Sequence, residues 1–563
     1  MSKLGQARTR REFPACAGAG TVRKPCALVV PAIDDGRIPL DLRIAVTGHR
    51  DLPGVANLGT AIDQALDLIL DQLQPAVRER CRLVAVSALA DGADRLVAER
   101  VLARPGARLE VILPMPKADY VTDFDPAYSL AEFEHLLGQA SWVATMPSQY
   151  TRKDAYAAAG RAVADRADVT IAVWDGRPAA GKGGTGDIVG YLREQHRPWI
   201  WLPADGGELV AENLGKLTDT GWPGVTDTDL ASWREFNESR LDAGRYAAFI
   251  DEFRESLLRA GGAELAADLT VLLSWLQAPF ARAELLSRKF QSRYLRVSAM
   301  LFVLAALAVC IVGTQLVFFP HTRQVVAGEI ACLLVILGGL EWGRRVHLQQ
   351  RWISARYLAE RLRGALFLAL AGADDRPSAT ALVSEEMPAA AWVGAAFKMT
   401  WMRRPQVDAD RISMSALRNF LSVAWVDDQH HYFKESSARA RQKYRFSLRA
   451  VEALFATSVA IAIIHVALGG PEDRIKQVVS LLAISIPACA AALVGYSTQR
   501  EYPRNSLRYA QMADSLERAN DVMLGASDHA KVREVAITVD QMLRQERGEW
   551  FGVVGVHDLE LPA

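Results

Sequence analysis

From residue 41 onward the chain alternates short apolar runs with amphipathic stretches. The runs read LRIAVT, RLVAVSA, RLEVIL, SWVATM, DVTIAVW and PWIWLP, all before residue 204. Near-continuous apolar strands separated by helix-period segments are the pattern of a doubly wound parallel sheet covered on both faces. The expected fold of residues 41–205 is therefore an α/β Rossmann-like sheet. Beyond that point the pattern changes.

Residues 297–319, VSAMLFVLAALAVCIVGTQLVFF, carry no charge. At about 1.5 Å per residue, a helix of this length crosses a hydrocarbon core of about 30 Å. After the link PHTRQ, residues 325–343 are apolar except for Glu329 and Glu341. A second pair of runs, 453–468 and 478–497, is joined by GGPEDRIKQ. A buried core helix can be this apolar, but four runs in two tight hairpins favour an all-α membrane region with four spans, of which the third is the shortest. Arg288, Lys289, Arg293 and Arg296 precede the first run, Arg344, Arg345 and Arg351 follow the second, and Arg441, Lys443, Arg445 and Arg449 precede the third. Positive flanks stay on the cytoplasmic side, so both termini are expected there and the lipid bilayer is the first partner. Each hairpin opens on a basic-aromatic start, KFQSRYLR or RQKYRFSLR, and exits into a charged amphipathic helix, HLQQRWISARYLAERLRGAL or REYPRNSLRYAQMADSLERA. These blocks recur after about 150 residues, which points to duplication.

The organisation that follows is a flexible tail (1–40), the sheet domain (41–205), a helical connector (206–287), a first two-span unit (288–380), a cytoplasmic helical insert (381–440), a second two-span unit (441–525) and a C-terminal cytoplasmic segment (526–563). The N-terminal stretch has no apolar run, so it is not expected to act as a signal peptide. Among 563 residues, Lys+Arg and Asp+Glu both number 65, so no global field recruits nucleic acid and no direct nucleic-acid binding is expected. The six cysteines, Cys16, Cys26, Cys81, Cys310, Cys332 and Cys489, form no C-x-x-C pair and no metal site is expected. The adjacent His430 and His431 would point about 100 degrees apart on a helix and could not readily share an ion, so they are read as surface or interface residues.

In such sheets ligands sit beyond the carboxyl ends of the strands. After the first run stands TGHRDLPG, with Thr47, Gly48, His49 and Arg50; the guanidinium can pair an anion bidentately. After the second stands SALADGADRLVAE, with Ser87, Gly92, Asp94 and Arg95 at a strand-to-helix turn whose free N–H groups suit a phosphate or a ribose network. After the fifth, VWDGRPAAGKGGTGDIV holds Asp175, Gly176, Lys182, Gly183, Gly184, Thr185 and Asp187. Gly176, Gly181 and Lys182 fit the P-loop spacing, but Gly183 stands where a magnesium-binding Ser or Thr is required. Asp94 and Asp187 could merely cap helices and the glycines merely make turns. Three such loops at one sheet edge favour a ligand site. Within the spans, Pro487 is a candidate hinge or pore-lining position and Glu329 a candidate pore-facing charge. Ala490, Ala491, Ala492 and Gly495 offer small residues for helix contacts in a homo-oligomer.

IAVTGHRDL, SALADGADRLVAE and ADVTIAVWDGRPAAGKGGTGDIV resemble the three ligand-edge motifs of the SLOG superfamily, the Rossmann-like group that includes the Lonely Guy phosphoribohydrolases and bacterial nucleotide sensors. GKGGTGD then resembles that group's phosphate loop. Residues 280–520, through the hairpins, their exit helices and WVDDQHHYF, resemble two copies of the SLOG-associated two-transmembrane (SLATT) effector domains. The resemblance implies a sensor for a nucleotide-derived second messenger, a cyclic oligonucleotide or an ADP-ribose or NAD derivative, made by a partner nucleotide-synthesising enzyme during phage infection. The membrane region would oligomerise and permeabilise or depolarise the bacterial inner membrane, with no further cofactor. In the related hydrolases a catalytic glutamate stands where this chain has Ile188, beside Asp187, which implies binding without hydrolysis. A membrane-anchored N-glycosidase or phosphoribohydrolase and a nucleotide-regulated channel or transporter remain as alternatives. The connector, amphipathic around YAAFIDEFRESLL, is the expected transmission element.

Overall fold

The computed structural model describes residues 35–52, 55–124, 127–146, 151–178, 182–205, 207–217, 226–320, 322–373, 391–405, 407–468 and 473–554. Readings that concern the tail up to residue 34, Cys16, Cys26, Gly181 and residues 555–563 lie outside them.

Seven strands form one sheet: β1 (Asp41–Gly48), β2 (Arg82–Ser87), β3 (Arg108–Leu113), β4 (Trp142–Thr145), β5 (Val169–Trp174), β6 (Trp199–Pro203) and β7 (Val210–Glu212). Their order is β4-β3-β2-β1-β5-β6-β7, parallel throughout except for β7 against β6. The six apolar runs are β1 to β6. The central strands are continuous in apolar character because helices cover both their faces; every residue of β5 is buried. The chain moves outward through β2, β3 and β4 and then returns to β5 on the other side of β1. The order therefore reverses between β1 and β5, and their carboxyl ends open a crevice there. Around the sheet run α1 (Val55–Asp71), α2 (Pro75–Arg78), α3 (Ala93–Leu102), α4 (Lys117–Tyr120), α5 (Ala127–Gln139), α6 (Arg152–Arg166), α7 (Thr185–Glu194) and α8 (Asp227–Glu238).

The rest of the chain is helical: α9 (Ala243–Phe318), α10 (Arg323–Arg345), α11 (Leu348–Leu370), α12 (Ala391–Trp401), α13 (Met414–Leu421), a π-helical turn Ser422–Asp427, α14 (Asp428–Ala467), α15 (Arg474–Gln499), α16 (Tyr502–Leu524) and α17 (His529–Val554). Helix α9 breaks at Gly262, where φ is 62°. Its first limb folds back on the second, with the Phe253 and Phe280 rings 4.6 Å apart and the Tyr246 hydroxyl donating to Ala278 O at 3.1 Å. The connector thus continues without interruption from residue 263 into the first apolar run.

Among the described residues, four helical segments are long and apolar enough to span a membrane. Only 17% of the apolar window is buried in the first two, and 0% in the last two, so these are not core helices. Both second spans end in the same way. His347 (φ 48°) and Glu501 (φ 47°) adopt the left-handed conformation, rare without glycine, and each precedes a 23-residue exit helix, α11 or α16. The recurrence seen in the sequence is therefore also a recurrence of backbone geometry.

By packing the chain divides into a sheet unit and a helical unit, and the stretch between the hairpins is shared. Helix α12 belongs to the sheet unit: its apolar surface is buried, Trp392 lying 5.4 Å from Phe236 and 6.4 Å from Trp233 of α8. Helices α13 and α14 belong to the helical unit. A single insert spanning 381–440 is thus divided differently by the packing.

Candidate ligand site

At the crevice between β1 and β5 lies a cavity of about 520 Å³. Thr47, Gly48, His49 and Arg50 after β1, Asp94 in the first turn of α3, Asp175 after β5, and Gly183, Gly184 and Thr185 at the start of α7 line it. Two glycines allow the loops to approach this closely. Gly92 has φ 80°, and a Cβ there would sit 2.1 Å from the Arg50 carbonyl oxygen. Gly183 has φ 81°, and a Cβ would sit 2.7 Å from the Ala157 backbone nitrogen in α6. Both positions exclude ordinary side chains by conformation and by space.

The start of α7 is the anion-seeking part of the wall. The Asp187 and Ile188 amides turn back to Gly184 O at 2.9 and 3.2 Å, which begins the helix. The first amides of a helix have no intrahelical acceptor, and Thr185 and Gly186, at that point, line the cavity. The start of α3 is used differently. Its Ala93 amide donates to His49 O at 3.1 Å, and the Asp94 carboxylate accepts from Ser87 Oγ at 2.9 Å and from the amides of Ala88 and Ala90. A carboxylate seated there repels a phosphate, so only α7 offers the dipole end expected of both helices.

Ser87, Gly92, Arg95, Gly176, Lys182 and Asp187 do not line the cavity. Ser87 holds Asp94 and accepts from the Leu89 amide at 2.8 Å. Buried Arg95 donates to Leu89 O at 3.1 Å and to Ser129 O at 2.8 Å, tying the β2–α3 turn to α5. Gly176 (φ 81°) turns the loop against the Trp201 ring. Exposed Lys182 reaches Asp154 at 3.3 Å. Asp187 Oδ2 accepts from the Gly183 amide at 2.9 Å, so its carboxylate closes the loop. Ile188 is buried in the apolar cluster around β5 and brings no carboxylate to this position.

The opposite wall contains two residues that the strand-end motifs do not reveal, Tyr120 of α4 and Tyr156 of α6. The Arg50 guanidinium lies 5.5 Å from the Tyr156 ring centre, and the Tyr156 hydroxyl donates to Asp123. Burial alone would lower the Arg50 pKa, but its hydrogen bond with Tyr156 and the nearby Tyr120 and Asp123 raise it overall. Burial pushes the Asp94 carboxyl up to about 6 against the hydrogen bonds it accepts. It also holds the Tyr120 phenol well above its ordinary range. His49 Nε2 accepts from the Asp175 amide at 3.1 Å, which fixes the ring at the cavity edge. The only sequence signals for the two tyrosines are a polar aromatic following β3 and a single bulky residue in the alanine-rich RKDAYAAAG.

Elsewhere, Glu329 is half-buried in α10 and Pro487 lies inside α15. His430 and His431 come closer to a shared partner than their angular separation implies: with Asp427 they place donor atoms within 4.8 Å of one another. His431 Nδ1 is already engaged by Asp427 O at 2.9 Å, at the end of the π-helical turn.

No protein-family model and no curated protein matches this chain.

Proposed function

We propose that the chain is a ligand-gated membrane effector: the sheet domain binds a nucleotide-derived second messenger, and the four-span region assembles to permeabilise or depolarise a bacterial inner membrane in defence against phage. The observation that carries this reading is the cavity at the β1/β5 crevice, bounded by the glycine-rich start of α7, in a chain with four largely uncovered apolar helices. A helix N-terminus beside Arg50 suits a phosphate, and a volume of about 520 Å³ falls in the range of small-molecule sites. The apolar Ile188 and the engaged Asp187 support retention of the ligand without cleavage. For ligand to drive a decisive switch, it must bind one membrane state more tightly by several kcal/mol.

The competing hydrolase reading has one observation in its favour, the buried Asp94 with its raised pKa in a cleft, the property of a general acid. One experiment separates them. The full chain in dye-loaded liposomes is incubated with cyclic oligonucleotides, ADP-ribose derivatives and nucleoside monophosphates, and bound mass and products are read by native mass spectrometry. Dye release triggered by a compound retained intact, and lost in Arg50→Ala, is the expected result. Free base and ribose phosphate would establish the hydrolase instead; dye release independent of every compound would overturn ligand gating.

A further inference from the structure

We propose that Arg441, Arg445 and Arg449, where α14 enters the third apolar run, form a binding site for the headgroups of anionic phospholipids. The site rests on the reading of the four apolar helices as membrane spans and is independent of ligand gating.

Residues 436–451 carry five cations, Arg439, Arg441, Lys443, Arg445 and Arg449, and no acidic residue. Arg439 is held by Glu435 at 3.1 Å, and Lys443 lies 5.9 Å from the Tyr502 ring centre. The other three recur every fourth residue of a continuous helix, so they follow one another along one face. All three are exposed, whereas Ala440 and Ser447 on the far side of the helix are buried. Among the described residues, none of the three has a carboxylate partner. Like charges at this spacing destabilise a helix, so the stripe favours a partner that brings negative charge to several positions at once.

What the stripe adjoins selects that partner. Arg449 stands one turn before Ala453, where the apolar run begins, and 0% of the apolar window of this helix is buried. Lipid covering the run brings its headgroups to the level of the arginines, and cation clusters in that position bind anionic lipid surfaces. Tyr444 and Leu448 beside the stripe are exposed, and Phe446 is 73% exposed. An aromatic ring so uncovered suits the boundary between headgroups and acyl chains. The first hairpin is built differently. There Arg288 pairs with Glu284 at 2.7 Å, Lys289 donates to Arg240 O at 2.7 Å and Arg296 to Ser292 O at 3.1 Å. The free stripe is therefore particular to the second hairpin, beyond the positive flank that orients any span.

The test uses the full chain in neutral detergent without nucleotide, titrated with phosphatidylglycerol or phosphatidylcholine and read by native mass spectrometry. Phosphatidylglycerol should be retained about tenfold more tightly, and salt should weaken its retention. The triple substitution Arg441→Gln, Arg445→Gln and Arg449→Gln should abolish this preference without lowering the melting temperature. Lysine at the same three positions preserves the charge and should keep most of the preference. Arg288→Gln with Arg296→Gln should leave it intact. Equal retention of the two lipids, a preference that survives the glutamine triple, or one lost equally on changing the first hairpin overturns the site. Displacement of the lipid by millimolar inorganic phosphate would make this a soluble-anion site and overturns the proposal as well. If the chain stays in solution without detergent, the membrane reading fails and the site with it.

Discussion

Lys398 of α12 stands 3.6 Å from Asp168, the residue immediately before β5. Asp168 is buried and also accepts from the Arg43 amide at 2.9 Å. Close by in α12's wake, Arg403 pairs with Asp41 at the first position of β1. The segment between the two apolar hairpins therefore supplies cations to the amino-terminal edge of the sheet, opposite the cavity. Replacing both with methionine keeps the aliphatic stems but leaves two buried carboxylates with fewer partners. We expect a loss of about 2 kcal/mol in sheet-domain stability, below the 3–5 kcal/mol of a fully broken buried pair because Arg82 still reaches Asp41 at 2.7 Å. Hydrogen exchange at β1 and β5 in the full chain measures it; unchanged protection would mean that α12 is held by its apolar surface alone. If α12 transmits the signal, dye release should also fall while ligand affinity is retained.

Asp94 should make the sheet domain less stable as pH rises. Its folded pKa of about 6 lies above the ordinary value of 3.8, so between these values the folded state holds a proton that the unfolded state has lost. Stability is therefore highest below the unfolded value and declines through the folded one. A rise of about two pH units corresponds to about 3 kcal/mol at most. Asp94→Asn removes this dependence, so the wild-type-minus-variant difference in denaturant midpoint should change between pH 4 and 6.5 and stay flat above it. A flat difference throughout would mean that Asp94 titrates normally.

How much of this was legible depends on what each element packs against. The interior strands are readable because helices cover both sheet faces and leave them largely buried and apolar, whereas the four-residue edge strand β4 shows through its apolar run although none of its residues is buried. Three-residue β7 on the edge has no such run. The docking of α12 is illegible for the opposite reason: AWVGAAFKMTW is buried around most of its circumference and has no polar face to show which partner it meets. The strand-end motifs locate the floor of the cavity, since Gly92 and Gly183 are demanded by local geometry. Tyr120 and Tyr156 enter from α4 and α6 through tertiary packing, and their local signals, a polar aromatic after β3 and a lone bulky residue among alanines, do not say that either side chain faces the cavity.

Two glycines only seven residues apart should respond oppositely to alanine. At Gly183 the new Cβ meets the backbone of α6 at 2.7 Å and φ is 81°, so Gly183→Ala should cost about 1–3 kcal/mol and displace the start of α7. Phosphate affinity should drop at least about tenfold, the equivalent of about 1.4 kcal/mol. Gly190, inside α7, has nothing within 4 Å of the corresponding position, so Gly190→Ala should stabilise by about 0.5–1 kcal/mol with binding unchanged. Calorimetric phosphate titrations of the two variants check this; equal binding would remove α7 from the site.

Small residues in the fourth span serve two different surfaces. A Cβ on Gly495 would lie 2.8 Å from Phe302 Cε1 in α9, and Phe302 also meets Tyr496 edge-on at 6.0 Å. One turn further on, Ser298 donates to Gln499. Gly495 therefore packs the second hairpin against the first within one chain. Ala491 is exposed. Gly495→Leu should force α9 and α15 apart, at about 1–3 kcal/mol for overpacking, and lower the melting temperature in detergent. Ala491→Leu should leave that melting temperature unchanged and, under the proposed assembly, reduce the oligomer seen by native mass spectrometry. Unchanged assembly in Ala491→Leu would take this face out of the oligomer contact, and an unshifted melting temperature in Gly495→Leu would mean that the two hairpins do not pack together through Phe302.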